Sequence, residues 1–434
     1  MSTFNRSNQR RLSSGLGIIA LSLLGWLVSA AAAGQQAAPA VFSQADEILH
    51  QMSEMTGLPI KAPLNKQVVS RPEIEKYLIQ NLHEESSPAE IHAQEALVRV
   101  LGLVPPDFNL EKFLISFYTE QGAGFYDPKR KTMFIADWVP AELQPMTLSH
   151  ELTHALQDQN WNLENFLRSV RNDDDAASAR QAFVEGYATA AMVQQIAGGA
   201  DLGQMPSFEP LIEGLIPEKS SESPVFSRAP YFFRKQALFP YVQGMGFIQA
   251  GLRLGGWKNL NASFEHPPDA TQQIFHPQTY FGRTITPKVT LNRPPLLEGQ
   301  SGLRFLTENT LGELGIYCLL GQLISEEEAK AVSPSWAGDR YVLYEQAGGN
   351  TYTLVARTRW VSAEAAMGFF RDYYTILGHK YPGLSTDPPS GPDLFVGTAA
   401  NGRGLLLRKG NECLWVEGAP AAKTDALLAW LRAL

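Results

Sequence analysis

The feature of this sequence that most constrains its fold is the segment His-Glu-Leu-Thr-His at positions 150–154. On an α-helix of 3.6 residues per turn, a spacing of four brings His150 and His154 to within about 40° of the same face. Both imidazoles can then bind one metal ion, while Glu151 is offset enough to hold a water molecule instead. The same helix carries the apolar residues Leu148, Leu152, Ala155 and Leu156. Burying the polar side chains of such an apolar helix is costly unless they form hydrogen bonds or bind a metal.

The composition restricts which side chains can complete a metal site. The 434-residue chain has two cysteines, Cys318 and Cys413, against 8 histidines and 44 acidic residues. A cysteine-rich zinc site and a disulfide scaffold are therefore excluded, and the ligands must be histidine and carboxylate. Such ligands suit Zn²⁺, which in catalytic sites keeps one position open for water. Whether the two cysteines pair stays open, because the sequence gives no distance between them.

Glu185 is the predicted third ligand. It lies in the stretch QAFVEGYATA, whose other members are mostly apolar, and it precedes Gly186, where a missing side chain would let two helices approach closely. An acidic residue among apolar neighbours is expected to be paired or metal-bound. A glutamate exposed on the protein surface is the alternative.

These four residues, His150, Glu151, His154 and Glu185, resemble the site of the gluzincin group of zinc metallopeptidases, the thermolysin-like arrangement. The longer stretches SHELTHALQDQ, FVEGYAT, PYVQGMGFIQAGLRLGGW and PPDATQQIFHP are similar to a family of exported bacterial metallopeptidase-like proteins. The similarity covers roughly residues 115–345. It implies a zincin fold, in which a β-hairpin before the motif has an edge that could receive an extended peptide.

One position departs from the resemblance. Thermolysin-like enzymes often have an aspartate four residues after the ligand glutamate, as the partner of a ligand histidine, and here that position is Thr189. Asp158 is predicted to take over this role, because it lies four residues after His154 and eight after His150, on the same helix face. A solvent-facing acid at the helix end is the alternative, and Gln157 is a weaker candidate.

A peptidase of this kind also needs a hydrogen-bond donor for the oxyanion that forms during the reaction. The two predicted donors are His276, in the turn TQQIFHP, and Tyr241, at the start of YVQGMGF. A surface histidine and a core tyrosine are the respective alternatives, and Tyr126 is a further candidate. The long Gly/Pro/Ser-rich segment 197–235 could cover the cleft as a lid, although an ordinary surface loop is preferred.

The N-terminus predicts export. Three arginines in the first eleven residues precede an apolar run over residues 15–33 that ends in small residues. This order is typical of a secretory signal peptide, with cleavage after Ala31 or Ala33, and it predicts a periplasmic or extracellular protein. An uncleaved single-span anchor is the alternative. The rest of the chain is predicted to contain no membrane span.

The charge narrows the range of partners. With Lys+Arg 36 and Asp+Glu 44, the net charge is −8, so the chain has no excess of positive charge with which to bind a phosphate backbone. Nucleic acid is therefore not an expected partner. The expected partner is a peptide or protein substrate, and the oligomeric state stays open.

The predicted fold class is α+β, with a mainly helical zincin-like domain, a small β-hairpin before the motif helix and a small C-terminal α+β domain. Four regions are expected: a signal peptide 1–33, a helical region 34–110, a zincin-like catalytic domain 111–332 and a C-terminal α+β domain 333–434. Capping boxes at Ser70 and Ser87 mark helix starts.

The pattern also predicts individual elements. Residues 113–137 form two β-rich runs, which predict a hairpin that leads into a helix over 145–159. Further helices are expected after the acidic triplet 173–175, over 241–254 and near 311–324. From residue 341 onward the pattern reads strand, strand, helix, strand, strand, helix.

The leading functional hypothesis is an exported zinc-dependent metallopeptidase, in which a metal-activated water attacks a peptide bond and Glu151 acts as general base. The alternative is a zincin-derived, non-catalytic binding or scaffold protein of the cell envelope with a structural zinc. The presence of Glu151 argues against this alternative, because a purely structural site has no use for a base.

Overall fold

The structure is a computed structural model that describes residue 42, residues 44–210, residue 212, residues 223–299 and residues 302–434. The predicted signal peptide and its cleavage site lie outside these residues. No helix in the described part of the chain is long and apolar enough to cross a membrane.

The fold is α+β, as predicted, and the described residues are mainly helical with two separate sheets. The first elements are α1 (Ala45–Thr56), β1 (Asn65–Val69), α2 (Arg71–Glu85), α3 (Pro88–Val100) and α4 (Leu110–Gln121). Both predicted capping boxes are present. The Glu73 carboxylate accepts a 2.7 Å hydrogen bond from the Ser70 backbone N–H, and Glu90 does the same for Ser87.

One predicted strand is wrong. The run FLISFYTEQ, expected to be the first strand of the hairpin, belongs to helix α4. The Asn109 side chain caps this helix by accepting a 2.8 Å hydrogen bond from the Lys112 N–H. Leu110, Phe117, Tyr118 and Gln121 are its buried residues, at spacings that repeat on a helix. Burial of this helical face thus outweighs the β propensity of the aromatic and β-branched residues.

The hairpin itself is shorter than predicted and consists of β2 (Gly124–Asp127) and β3 (Thr132–Ala136). The Asp127 carboxylate closes its turn by accepting hydrogen bonds from the backbone N–H groups of Lys129 and Arg130. Strand β1 pairs with β3 in parallel, so the sheet order is β1-β3-β2 and β2 is an edge strand.

The central helices follow the hairpin. They are α5 (Gln144–Trp161), α6 (Leu163–Arg168), α7 (Asp174–Ile196), α8 (Pro224–Arg228), α9 (Tyr231–Ala262), α10 (Thr271–Phe275) and α11 (Pro277–Phe281). Helix α7 starts as predicted, with Asp173 as its cap. Helix α9 starts ten residues earlier than predicted, directly after Pro230. At Gly256, where φ is 65°, it bends so sharply that its last residues form a separate helical segment.

Helices α7 and α9 touch backbone to backbone. A Cβ atom on Gly186 would lie 2.3 Å from the carbonyl carbon of Gly244, and one on Gly244 would lie 2.3 Å from the Ala182 oxygen. Only glycine fits at such a distance. The close helix approach predicted at Gly186 is therefore confirmed.

The C-terminal part contains β4 (Leu303–Asn309), α12 (Gly312–Leu323), α13 (Glu326–Val332), β5 (Trp336–Gln346), β6 (Tyr352–Trp360), α14 (Ala363–Lys380), β7 (Leu394–Ala399), β8 (Gly402–Lys409), β9 (Glu412–Ala419) and α15 (Thr424–Ala433). The six strands form one antiparallel sheet in the order β4-β5-β6-β9-β8-β7.

Two details of this part differ from the prediction. Strand β4 was not expected, and it places residues 303–309 in the sheet, ahead of the predicted domain start at 333. The segment 403–418 was predicted as a single strand, the last one of the chain. It is a hairpin of β8 and β9, because the chain turns at Gly410 with a φ of 61°. Cys318 and Cys413 are both buried and unpaired.

Candidate metal centre

The structure brings the three predicted metal ligands together. His150 and His154 project from one face of α5 towards Glu185 on α7, with their Nε2 atoms 3.0 Å apart. Glu185 Oε2 lies 3.1 Å from Nε2 of His150 and 3.3 Å from Nε2 of His154. All three residues are buried, and they are the only His, Cys, Asp or Glu cluster of metal-binding geometry among the described residues.

These separations fit a tetrahedral ion. Zinc binds nitrogen and oxygen ligands at about 2.0–2.2 Å, which places neighbouring ligand atoms roughly 3.3 Å apart. The donor set of two imidazoles and one carboxylate is also one that Zn²⁺ prefers. The cluster thus has the spacing and the donor chemistry of a three-ligand zinc site.

The electrostatics of the cluster favour a positive charge at its centre. Burial alone would lower the pKa of His154, but the charge and hydrogen bond of Glu185 outweigh it and raise that pKa. Burial would likewise raise the pKa of Glu185, but His154 and His150 lower it instead. Both pKa shifts show that the negative carboxylate of Glu185 stabilises a positive charge beside it, which is also what a bound cation requires.

Two glutamine side chains orient the ligands. Gln181, one turn before Glu185 on α7, donates a 2.9 Å hydrogen bond to Glu185 Oε1 and so leaves Oε2 to face the histidines. The Oε1 atom of Gln157 lies 2.8 Å from Nδ1 of His154. The Nε2 atom of Gln157 donates a 3.2 Å hydrogen bond to the backbone oxygen of Val184. Gln157 therefore directs Nε2 of His154 towards the cluster and ties α5 to α7.

Asp158 has partners other than the predicted histidines. Its Oδ2 accepts hydrogen bonds of 2.7 Å from the Tyr126 hydroxyl and from Lys131 Nζ, and its Oδ1 accepts one of 3.0 Å from the Leu163 N–H. Asp158 thus fastens the hairpin to α5 and caps α6. The role predicted for it beside a ligand histidine falls to Gln157, which was the weaker candidate.

The position that departs from the thermolysin-like pattern is also visible in the structure. Within the described residues, Thr189 Oγ1 and His150 Nδ1 are buried atoms without a hydrogen-bond partner. Among the described residues, His150 Nδ1 therefore has no hydrogen-bond partner in place of the aspartate that the thermolysin-like pattern would supply.

Glu151 lies next to the edge of the first sheet. It is fully buried on α5, and a Cβ atom on Gly124 of β2 would lie 3.7 Å from Glu151 Cγ and 2.9 Å from Thr147 Cγ2. Glycine at position 124 therefore lets edge strand β2 lie directly against the motif helix. Sequence reasoning missed both Gly124 and Gln181, although the spacing of four between Gln181 and Glu185 was a usable signal.

The two predicted oxyanion donors lie in different surroundings. The Tyr241 ring on α9 is buried, with its centroid 6.2 Å from that of His150. His276 is half-buried, and its Nε2 lies 2.9 Å from Glu313 Oε1 on α12. This hydrogen bond raises the pKa of His276. Of the two, Tyr241 is the one that the structure places beside a ligand histidine.

A comparison with protein-family models gives a match to the C-terminal part of the chain. A family model described as a domain of unknown function (DUF8575) matches residues 303–428, from the first residue of β4 into α15. The matched segment contains the whole six-stranded sheet and none of the candidate metal ligands. No curated protein and no solved structure matches the chain.

Proposed function

We propose that this protein is an exported zinc-dependent metallopeptidase with a zincin-like catalytic region. The observation that carries the proposal is the convergence of His150, His154 and Glu185 at separations of 3.0–3.3 Å, with a glutamate at the second position of the motif. When bound there, zinc would polarise a carbonyl group and acidify a water molecule.

Glu151 supplies the proton chemistry of the proposed reaction. Its carboxylate takes the proton of the attacking water and later delivers a proton to the leaving amine. Its complete burial excludes bulk water from the carboxylate and strengthens its electrostatic interactions.

An extended peptide is the substrate that suits the surroundings of Glu151. Edge strand β2 lies against α5 at Gly124, so a peptide that added to this edge would run past the glutamate. Asp158 stabilises this arrangement, because its carboxylate holds Tyr126 of β2 and Lys131 of the hairpin turn against α5.

Tyr241 is the proposed donor to the oxyanion, since its ring lies beside His150. His276 stays the predicted alternative donor. It ranks second because its side chain contacts Glu313 and the ring of Phe275, and neither of these residues belongs to the metal cluster.

The test combines metal content with one substitution. Purified protein is expected to hold about one zinc per chain by atomic emission, and to cleave unfolded protein or envelope peptides. Glu151→Gln should keep the metal and lower cleavage by a factor of 10² or more, as expected for loss of a general base. Glu142→Gln, an exposed residue just before α5, is the matched control and should cleave like wild type.

Two outcomes would contradict the proposal. Protein that is folded but binds no zinc would exclude it at the first step. Protein that binds zinc but whose cleavage is the same in wild type and Glu151→Gln would favour the alternative of a non-catalytic scaffold with a structural metal. Export is tested separately, by N-terminal sequencing of the protein recovered outside the cytoplasm.

A further inference from the structure

A cavity of about 690 Å³ lies between α9, α12 and α13, and Tyr241 is not among the residues that line it. Its volume falls within the range of about 300–1,000 Å³ that is usual for small-ligand sites. One part of its wall consists of aliphatic and aromatic side chains, namely Phe226, Leu238, Phe239, Val242 and Phe275. This wall can take up an apolar side chain.

The charged part of the wall is positive overall. Lys235 Nζ and Lys330 Nζ share a single oxygen of Glu326, at 3.0 and 3.2 Å, so one carboxylate balances only one of the two ammonium groups. Arg234 adds another positive charge, and within the described residues its guanidinium has no ion pair and its Nε no hydrogen-bond partner. A positive cavity in a chain of net charge −8 is suited to an anionic ligand group.

Two further ionisable residues of the wall are hydrogen-bonded to each other but leave one acceptor oxygen without a partner in the described part of the chain. His276 and Glu313 form a hydrogen-bonded pair through Nε2 and Oε1 at 2.9 Å. The second oxygen, Glu313 Oε2, is buried and has no partner among the described residues. A buried carboxylate oxygen without a donor is costly, so a ligand that brought an N–H group to it would be favoured.

We propose that this cavity binds the C-terminal residue of a peptide. The free carboxylate pairs with Arg234, the backbone N–H donates to Glu313 Oε2, and an apolar side chain packs against Phe239 and Phe275. A bidentate arginine–carboxylate pair supplies the charge recognition. The proposal does not depend on the metal centre, since none of the three metal ligands lines the cavity.

The ligand side of the test uses three small probes on the full chain by isothermal titration calorimetry. N-acetyl-L-phenylalanine carries the carboxylate, the N–H group and an aromatic side chain. N-acetyl-L-phenylalaninamide lacks the carboxylate, and octanoate lacks the N–H group. Acetylphenylalanine is expected to bind at least tenfold more tightly than either of the other two.

The protein side of the test uses one matched pair of variants. Arg234→Met should weaken acetylphenylalanine binding at least tenfold, whereas Arg432→Met, an exposed arginine on α15, should bind like wild type. Circular dichroism melts verify that both variants are folded. The Glu151→Gln variant should bind as wild type does, which separates this result from the outcome of the peptidase experiments.

Each contrary result overturns the proposal. Equal binding of the acid and the amide would exclude carboxylate recognition, and so would unchanged binding to folded Arg234→Met. Octanoate binding as tightly as acetylphenylalanine would assign the cavity to fatty acids instead of peptides. Absence of binding by all three probes would exclude an apolar carboxylate ligand altogether.

Discussion

At the scale of single residues, the candidate metal cluster of His150, His154 and Glu185 is oriented by two neutral amides. Gln181 holds one oxygen of Glu185 and Gln157 holds the outer nitrogen of His154, so each ligand presents one defined atom to the centre. A carboxylate in either place would add negative charge next to Glu185. The amides fix the geometry without changing the charge of the cluster.

Replacing Gln181 by leucine should weaken metal binding. The change removes the donor to Glu185 Oε1 while keeping similar volume, so the carboxylate loses its fixed orientation. Zinc affinity is expected to fall roughly 10- to 100-fold in competition titrations with a chelator. Gln80→Leu is a matched control, because Gln80 makes the same type of hydrogen bond to Glu84, at 2.7 Å, on the exposed side of α2. Equal affinity of the two variants would show that Gln181 has no part in metal binding.

The sequence predicted the convergence of His150, His154 and Glu185 better than it predicted the residues that surround this cluster. The sequence could predict these three residues because local features point to them: the helical spacing of His150 and His154, and the apolar neighbours of Glu185. Asp158 satisfied the same spacing rule, yet its carboxylate is engaged by Tyr126 and Lys131 of the hairpin. Which of two polar residues on a helix face reaches a ligand depends on tertiary partners, which spacing alone cannot supply.

Two buried carboxyl groups, Asp175 on α7 and Asp339 on β5, each hold a neighbouring segment of the chain. The Asp175 side chain accepts hydrogen bonds from Thr271 N and Oγ1 on α10, and Asp339 accepts them from the N–H groups of Leu311 and Gly312. Arg340, the neighbour of Asp339 in the sequence, forms an ion pair with Glu308. Burial is the main cause that raises the pKa of Asp175 to about 7 and that of Asp339 to about 6.

The raised pKa of Asp175 predicts that the free energy of unfolding falls as the pH rises. The folded protein keeps the Asp175 proton up to about pH 7, whereas the unfolded chain releases it near its ordinary pKa of 3.8. The stabilising contribution is therefore complete below about pH 4 and is lost as the pH rises through 7. The measurement is the free energy of unfolding of wild type and Asp175→Asn between about pH 4 and pH 7. The wild type should lose a few kcal/mol relative to the variant as the pH rises, since each unit of pKa shift corresponds to about 1.4 kcal/mol.

Asp425→Asn serves as the control for this pH experiment, because Asp425 is exposed on α15. Its stability relative to wild type should be the same at every pH between 4 and 8. A constant difference between wild type and Asp175→Asn over that interval would show that Asp175 does not titrate on unfolding.

At the scale of elements, the contact between α7 and α9 sets the position of Glu185 and Tyr241 together. Gly186→Ala should be strongly destabilising, since the new methyl group would overlap the Gly244 backbone at 2.3 Å and force the helices apart. A loss of about 1–3 kcal/mol or more in the free energy of unfolding is expected from urea denaturation.

Gly368→Ala is the matched control for this contact. Gly368 lies inside α14 and a Cβ there would meet nothing within 4 Å. Since alanine favours helix over glycine, this variant should be up to about 1 kcal/mol more stable than wild type. If Gly186→Ala were as stable as Gly368→Ala, the close contact between α7 and α9 would be refuted.

Elements with strong local signals could be predicted from the sequence, and those decided by burial could not. The capping boxes at Ser70 and Ser87 gave the starts of α2 and α3 correctly. Helix α4 was missed because its aromatic residues favour strands, while Asn109 at its start was a cap signal that went unused. The split between β8 and β9 is signalled only by Gly410 and its neighbour Asn411.

At the scale of the whole molecule, the helical part shares an apolar core with part of the C-terminal sheet, while a second apolar cluster, which includes Val342 and Val355, is separate from it. A single cluster of buried side chains extends from Met52 on α1 through Phe183 on α7 to Phe369 and Trp415 of the C-terminal part. Hydrogen bonds also cross between the two parts, such as His92 to Glu345 at 2.8 Å. Long-range contacts of this kind, like the pairing of β4 with β5, have no local signature in the sequence.

This shared core predicts cooperative unfolding of the full chain. Trp415 is fully buried in the C-terminal sheet, with its ring 4.5 Å from that of Tyr373. Trp415→Ala should cost about 3–5 kcal/mol through the cavity it leaves. Scanning calorimetry of metal-free protein is expected to show one transition for wild type and one, at lower temperature, for the variant. Two wild-type transitions, of which Trp415→Ala shifts only one, would instead establish two independent units and favour a boundary such as the one predicted at 333.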